Sequence, residues 1–246
     1  MPPRALVEGR KARRWTQLEA ARSLGISQSY LSMIEAGERS GTPALARKAA
    51  KLYRLPPTDL ALPAELDANG AARDLYGEFG ALGYPGFSHV RARTKRNPAE
   101  TLLLALARND LDPRLTEALP WILLSYPEMD WRWIVSQAKL RDLQNRLGFV
   151  TNLARRLAES QERYRGIVPL LAQREAELEP ARLQREDTLC RESMTAPERA
   201  WLRENRPPEA VHWNLLTGMT PRQLRCCGPG MCPTRSLEEK IIPSET

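Results

Sequence analysis

TQLEAARSLGISQSYLSMIEAG, residues 16–37, is the stretch of this chain that decides its fold. Thr16 followed three residues later by Glu19 forms a capping box, which predicts a helix that begins at Gln17. Gly25 can adopt the left-handed conformation that ends such a helix. We therefore expect two short helices joined by a tight turn.

The second predicted helix has an apolar side and a polar side. Ser27 is a good N-cap for it, and Leu31 and Ile34 are spaced to face inward. The residues left facing outward near its N-terminal half are Gln28, Ser29, Ser32 and Met33. An ordinary helical hairpin does not require a small residue, a glycine and an apolar corner residue at these relative positions. The pattern therefore favours a helix-turn-helix that enters the major groove of DNA.

Residues 4–60 resemble the helix-turn-helix domain of the Cro/cI-like repressors, the XRE family. The matching residues are Thr16-Gln17, Ala21, Gly25-Ile26-Ser27, Leu31, Ile34-Glu35, Gly37 and Thr42-Pro43. The resemblance covers about a quarter of the chain and implies a five-helix DNA-binding domain. With no strand pattern elsewhere, we expect an all-α fold with a second helical domain after it.

The resemblance also implies roles for individual residues. The helix from Gln28 to Ala36 reads the DNA, and the residues that reach base edges are Gln28, Ser29, Ser32 and Met33. Gln17, at the start of the preceding helix, and Arg39 and Ser40, in the loop after the reading helix, contact phosphates. Arg10 and Glu35 form a structural ion pair.

Two positions depart from the family pattern in the first helix. Gly9 stands where the family usually has an aliphatic residue, and a mid-helix glycine costs about 1 kcal/mol relative to alanine. Arg14 stands where a glycine usually ends the helix. The sequence therefore predicts a first helix that is either marginal or supported by the second domain, and a Gly9 that packs against nothing.

Positive charge is concentrated with the helix-turn-helix. Residues 1–63 hold 11 Lys and Arg against 5 Asp and Glu, a balance of +6, while the whole chain is +7, so the rest contributes only +1. Such an excess suits phosphate contact. No apolar run is long enough to cross a membrane, and no signal segment or export-type cysteine framework is evident, so we expect a cytoplasmic protein.

The chain divides into five predicted segments: a helix-turn-helix domain (1–62), a connector (63–96), a helical dimerisation, partner or sensor domain (97–160), a polar helical extension (161–232) and a flexible tail (233–246). Within the third, one long amphipathic helix is predicted from Trp131 to about residue 160, bent at Gly148. It is a candidate for helix pairing between or within subunits.

A basic cluster ends the predicted connector: Arg91, Arg93, Lys95 and Arg96. Two readings stay open, an arm that contacts phosphate and a solvated linker, and charge runs more often serve as the second.

A zinc site is the one metal hypothesis that the sequence offers. Cys226, Cys227 and Cys232, with Cys190 or His212, supply enough ligands for four-coordination. The spacing is poor, because two cysteines are adjacent and no clear CxxC pair exists, so unliganded or redox-active thiols are favoured. We expect no cofactor.

Enzyme signatures are weak. The chain has two histidines, and we find neither a glycine-rich phosphate loop after a strand nor a nucleophile-elbow serine. Helix capping accounts for the carboxylates that lie close in sequence, Asp110, Asp112, Glu128 and Asp130. We therefore predict no catalytic residues.

The sequence thus predicts a transcriptional regulator, a repressor acting as a homodimer on double-stranded DNA. The alternative is an antitoxin-type DNA-binding protein whose C-terminal helical domain binds and inhibits a toxin-like partner. A small-molecule effector of that domain is a further open possibility.

Overall fold

The computed structural model describes residues 1–66, 74–90 and 95–224. Within these ranges the chain is mostly helical, and two main hydrophobic cores organise the helices. The expected all-α fold is confirmed. The exception is a parallel pair of two-residue strands, β1 (Asp187–Thr188) and β2 (Leu215–Leu216), which the sequence did not predict.

Four α-helices enclose the first core. They are α1 (Pro3–Ala12), α2 (Gln17–Leu24), α3 (Gln28–Glu35) and α4 (Pro43–Tyr53). A 3₁₀ turn at Pro57–Asp59 takes the place of the fifth helix that the resemblance implied. The buried apolar residues that these helices share include Leu6, Ala20, Ala21, Leu24, Leu31, Ile34, Ala49 and Tyr53.

The predicted signals fix the ends of α2. The Thr16 hydroxyl accepts a hydrogen bond from the Glu19 amide at 3.3 Å, and the Glu19 carboxylate accepts one from the Thr16 amide at 2.8 Å. Gly25 closes the helix with φ +74°. Nearby, Lys48 Nζ donates to the Leu24 carbonyl at 2.8 Å, which gives one C-terminal carbonyl of α2 a charged donor.

Gly9 has a packing role that the sequence prediction missed. It is buried, and a Cβ on it would lie 2.7 Å from Leu55 Cδ2 and 2.8 Å from Tyr53 Cβ. The prediction that Gly9 packs against nothing is therefore wrong. The missing side chain lets α1 approach the end of α4 closely, and the contact partner lies more than forty residues along the chain.

Arg14 carries the left-handed backbone that a glycine usually supplies, with φ +55°. We expect Arg14→Gly to stabilise the first core by about 0.5–1 kcal/mol, because it removes the Cβ strain of this conformation. Native-state hydrogen exchange of the α2 amides measures the change. Arg13→Gly is the matched control: Arg13 has φ −83°, so glycine there is expected to destabilise. Equal effects of the two variants would contradict the prediction.

In the described residues from 74 to 224, eight further helices build the second core and its surroundings: α5 (Leu75–Leu82), α6 (Pro98–Leu106), α7 (Pro113–Ser125), α8 (Trp131–Lys139), α9 (Gln144–Ser160), α10 (Val168–Leu178), α11 (Ala196–Asn205) and α12 (Pro208–His212). Helix α9 lies at the centre, and every residue from 144 to 154 is buried. Helices α7 and α10 pack on it.

The prediction of one long helix from Trp131 onward is wrong, because the structure divides this stretch into α8 and α9. Asp142 breaks it with φ +54°, and the Leu143 amide turns back to the Ala138 carbonyl at 2.9 Å. Gly148, expected to bend the helix, is instead the place where the Trp213 ring packs against α9.

The described part of the predicted connector packs into the second core. Leu75, Phe79, Tyr84 and Phe87 are all buried there. Arg96, from the basic cluster at the end of the predicted connector, pairs with Glu78 at 2.7 Å and with Glu100 at 3.1 Å. Arg91 and Arg93 lie outside the described residues, as does the predicted tail. The five segment boundaries stay predictions.

Across the described ranges, every helix is too short or too polar to cross a lipid bilayer.

Candidate nucleic-acid interface

Helix α3 presents a polar face to solvent. Its N-cap is Ser27, whose hydroxyl accepts from the Tyr30 amide at 3.2 Å. Leu31 and Ile34 turn into the first core and are 0% and 4% exposed. The four residues predicted to reach base edges lie away from that core: Gln28, Ser29 and Ser32 are exposed, and Met33 is half-buried. The structure therefore brings all four onto the accessible part of one short helix, which ends at Glu35.

Arg10 and Glu35 join α1 to the C-terminal end of α3. Arg10 Nε and Nη2 donate to the two carboxylate oxygens of Glu35 at 2.7 and 2.9 Å. Arg10 Nη1 also donates to the Trp15 carbonyl at 3.0 Å. The two charged side chains are only 13% and 4% exposed. A buried bidentate pair of this kind fixes orientation as well as distance.

Gln17 belongs to the same network, which the sequence reasoning did not foresee. Its side-chain Nε2 donates to Glu35 Oε2 at 3.0 Å, so Glu35 receives hydrogen bonds from both α1 and α2. Nothing local in the sequence signals this contact, since the two residues lie on different helices. Gln17 is half-buried at the first position of α2, so the residue predicted to contact phosphate is also hydrogen-bonded to the end of α3.

Burial alone acts to raise the pKa of Glu35, because a low-dielectric site disfavours the charged carboxylate. The hydrogen bonds from Arg10 and Gln17 and the positive charge of Arg10 outweigh burial and hold its pKa below the ordinary value of 4.5. Glu35 is therefore ionised at neutral pH, and the Arg10–Glu35 pair that orients α3 carries both of its charges there.

The loop after α3 is held against the end of that helix. The Glu38 and Arg39 amides both donate to the Met33 carbonyl, at 2.9 and 3.3 Å. Gly37 makes this turn possible with φ +80°. Arg39 and Ser40, predicted to contact phosphates, are exposed in this loop. They thus follow directly from the helix that carries the predicted base contacts.

Exposed basic side chains are distributed over the other helices of the first core and their connections. They are Arg4, Lys11, Arg14, Arg22, Arg47, Lys48, Lys51 and Arg54. A surface of this kind attracts polyanions and raises the rate of encounter with them.

The described residues do not bring the proposed zinc ligands together. Cys226, Cys227 and Cys232 lie outside the described residues. Cys190 is buried with its thiol directed to the Ala105 and Leu106 carbonyls, and burial raises its pKa to about 12, whereas a zinc ligand must be a thiolate. His212 contacts Glu179 at the surface. Within the described ranges, no three His, Cys, Asp or Glu side chains are grouped as metal ligands.

Helix capping occupies two of the four clustered carboxylates. Asp112 accepts a hydrogen bond from the Arg114 amide at the start of α7, and Asp130 accepts one from the Trp133 amide at the start of α8. Asp110 accepts from the amide and hydroxyl of Ser193.

Comparison with known proteins identifies the first part of the chain. Residues 6–60 match the family model described as helix-turn-helix. No curated protein and no solved structure matches the chain. The matched residues contain all four helices of the first core except the first three residues of α1, and they end with the 3₁₀ turn. Residues 6–60 are therefore a helix-turn-helix domain of the Cro/cI-like (XRE) type, the DNA-binding module of a class of regulators.

Proposed function

We propose that this protein is a sequence-specific regulator that binds double-stranded DNA with α3 in the major groove. The observation that carries the proposal is the division of α3 into two sides. One side is locked by Leu31, Ile34 and the Arg10–Glu35 pair, and the other leaves Gln28, Ser29, Ser32 and Met33 accessible. A rigid helix with a free polar side is what direct reading of base edges requires.

The side chains suggest a division of labour. The Gln28 amide can donate and accept two hydrogen bonds with one adenine, and Met33 can contact a thymine methyl group. Ser29 and Ser32 accept or donate with less selectivity. Gln17, Arg39 and Ser40 contact phosphates, which fix the position of the domain and carry no sequence information.

A homodimer acting as a repressor in the cytoplasm completes the proposal. One short helix reads few base pairs, so useful selectivity calls for two copies on half-sites about 34–36 Å apart. A bound dimer of this size represses by covering the DNA that it occupies. Light scattering of the protein–DNA complex tests the stoichiometry, and one chain per two half-sites would contradict it.

Replacing Gln28 tests base reading. We expect Gln28→Ala to weaken binding to the selected operator by about 1–3 kcal/mol, roughly ten- to a hundredfold, and to relax preference at one base pair. The operator is first obtained by selecting bound sequences from random DNA. Competition binding with all four base pairs at each position then measures the change.

The control is Gln173→Ala, the same substitution at an exposed glutamine of α10 in the second core. It should leave operator affinity unchanged. A Gln28→Ala protein with wild-type affinity and selectivity would overturn the assignment of α3 as the reading helix.

A second function rests on one surface feature. Trp201 on α11 is 61% exposed and Val211 on α12 is 49% exposed. Large exposed aromatic side chains are typical of protein–protein contacts. This feature supports the alternative function, an antitoxin-type DNA-binding protein whose C-terminal helical domain binds and inhibits a toxin-like partner.

Co-expression with the product of the adjacent gene separates the two functions. For the antitoxin, we expect a stable complex that Trp201→Ala weakens about tenfold or more while operator binding stays unchanged. A ligand-sensing repressor would instead purify alone and change its DNA affinity when a small-molecule effector is added.

A further inference from the structure

The first core and the second core meet through the junction segment, residues 57–66. Leu55 is the last residue packed on the first core, whereas Leu62 and Leu66 already pack on the second. Pro56 and Pro57 lie between Leu55 and Leu62 and restrict the backbone there. The chain therefore passes from one core to the other through a short, restricted connection.

Asn97 binds the first part of the junction segment. Its side-chain Nδ2 donates to the Thr58 carbonyl at 2.9 Å and to the Leu60 carbonyl at 2.8 Å. Its Oδ1 accepts from the Ala99 amide at 3.0 Å and so caps α6. Asn97 is 1% exposed, so these hydrogen bonds are protected from water. One side chain thus caps a helix of the second core and binds the turn that ends the helix-turn-helix domain.

Helix α8 and the turn after it bind the rest of the segment. Trp133 Nε1 donates to the Pro63 carbonyl at 3.0 Å. Gln137 Nε2 donates to the Ala64 carbonyl at 3.3 Å, and its Oε1 accepts from the Leu66 amide at 3.0 Å.

Arg141 extends this series by donating to the Leu66 carbonyl. Residues 133, 137 and 141 are spaced by four, which places them along one side of the helix and its continuation. All of their hydrogen bonds to the junction segment go to main-chain groups, so they fix the path of the backbone.

We propose that Asn97, Trp133 and Gln137 are positioning residues for DNA recognition. By fixing the junction segment on the second core, they set the orientation of the helix-turn-helix domain. In a dimer joined through the second core, that orientation determines which spacing between half-sites both copies of α3 can reach together. This inference rests on the proposed dimeric DNA binding.

Two variants test it in the full-length chain. Trp133→Phe combined with Gln137→Met removes the polar groups and keeps apolar side chains of similar size. Asn97→Asp keeps an acceptor to cap α6 and replaces the donor with a carboxylate that repels the Thr58 and Leu60 carbonyls. Ser136→Ala is the matched control, since Ser136 is exposed on α8.

The decisive measurement is binding to duplexes that carry two half-sites at a series of spacings. For wild type, we expect the affinity for the duplex with the best spacing to exceed the affinity for a single half-site by about a hundredfold, because both helix-turn-helix domains bind at once. In the variants, we expect duplexes with several different spacings to bind only about tenfold more tightly than a single half-site. A loosely held helix-turn-helix domain has a lower effective concentration at the second half-site. Affinity for a single half-site should stay unchanged, which a general loss of folding would not allow. Ser136→Ala should keep the wild-type profile.

NMR relaxation supplies an independent reading without DNA. Wild type should show one rotational correlation time for residues 1–60 and 95–224, and the variants a shorter one for residues 1–60. Variants that keep the wild-type spacing profile, or the single correlation time, overturn the inference. A wild-type profile that is flat with spacing overturns the inference alone. Wild-type protein that ignores every duplex overturns the proposed function, and this inference with it.

Discussion

Replacing Arg10 with methionine is expected to lower the free energy of unfolding of the first core by about 3–5 kcal/mol, because it strands a buried charge. The Glu35 side chain is 4% exposed, and in the variant its carboxylate loses both guanidinium hydrogen bonds. The Trp15 carbonyl also loses its donor. Native-state hydrogen exchange of the α1 to α4 amides measures this loss separately from the second core.

The effect of Arg10→Met should depend on pH in a defined direction. In wild type the folded-state pKa of Glu35 lies below 4.5, so its stabilising contribution is present above pH 4.5 and is lost as the pH falls through the folded value. In the variant, burial without the cation raises the pKa of Glu35. The variant's deficit is then full at neutral pH and shrinks on acidification.

The double variant Arg10→Met/Glu35→Gln is the control, because it removes both charges. It should recover most of the lost stability, as replacing a whole buried pair costs far less than breaking it. A single variant as stable as wild type, or a double variant no better than the single one, would contradict the role given to this pair.

Gly9→Leu, which installs the kind of aliphatic residue usual in the family, is expected to destabilise the first core by about 3 kcal/mol. A Cβ alone would come within 2.7–2.9 Å of Leu55 and Tyr53, and the remaining leucine atoms extend the overlap. The gain in helix propensity over glycine, about 1 kcal/mol, is too small to offset this crowding. Thermal unfolding followed by calorimetry should show the first core melting at a lower temperature.

Gly41→Ala is the matched control in the same core. A Cβ at Gly41 would lie 3.5 Å from Leu45 Cδ2 and 3.6 Å from Ile34 Cδ1, which is ordinary van der Waals contact. We expect a change within about 0.5 kcal/mol. If Gly9→Leu were as well tolerated as Gly41→Ala, the close crossing of α1 and α4 would not be a feature of the folded protein.

Local chemistry made the helix-turn-helix predictable from sequence. The Thr16–Glu19 capping box, Gly25 and Ser27 each act within a few residues, and the structure confirms the helix ends that they predict. The spacing of Leu31 and Ile34 likewise identified the buried side of α3, which left Gln28, Ser29 and Ser32 outside. Such local signals can be read from sequence because each residue lies within a few positions of the helix end or helix side that it determines.

Long-range contacts account for what the sequence did not reveal. Gly9 contacts Tyr53 and Leu55, and Gly148 contacts Trp213. With these distant partners unknown, the sequence suggested an unpacked residue at Gly9 and a bend at Gly148. Glycines in the predicted connector likewise suggested a linker. Gly80 allows α5 to approach the Phe87 carbonyl, a contact that converts an apparent linker into part of the second core.

The packing of Trp213 over Gly148 also bears on how the chain is synthesised. The surface of α9 at Gly148 stays uncovered until the residues around Trp213 have left the ribosome, whereas residues 1–60 already contain everything that the first core needs. The DNA-reading module can thus fold early during translation, and the larger body closes only near the end. A nascent chain arrested before residue 213 would carry a finished amino-terminal domain ahead of a second core that still exposes α9 at Gly148, and chaperones bind exposed apolar surface of this kind.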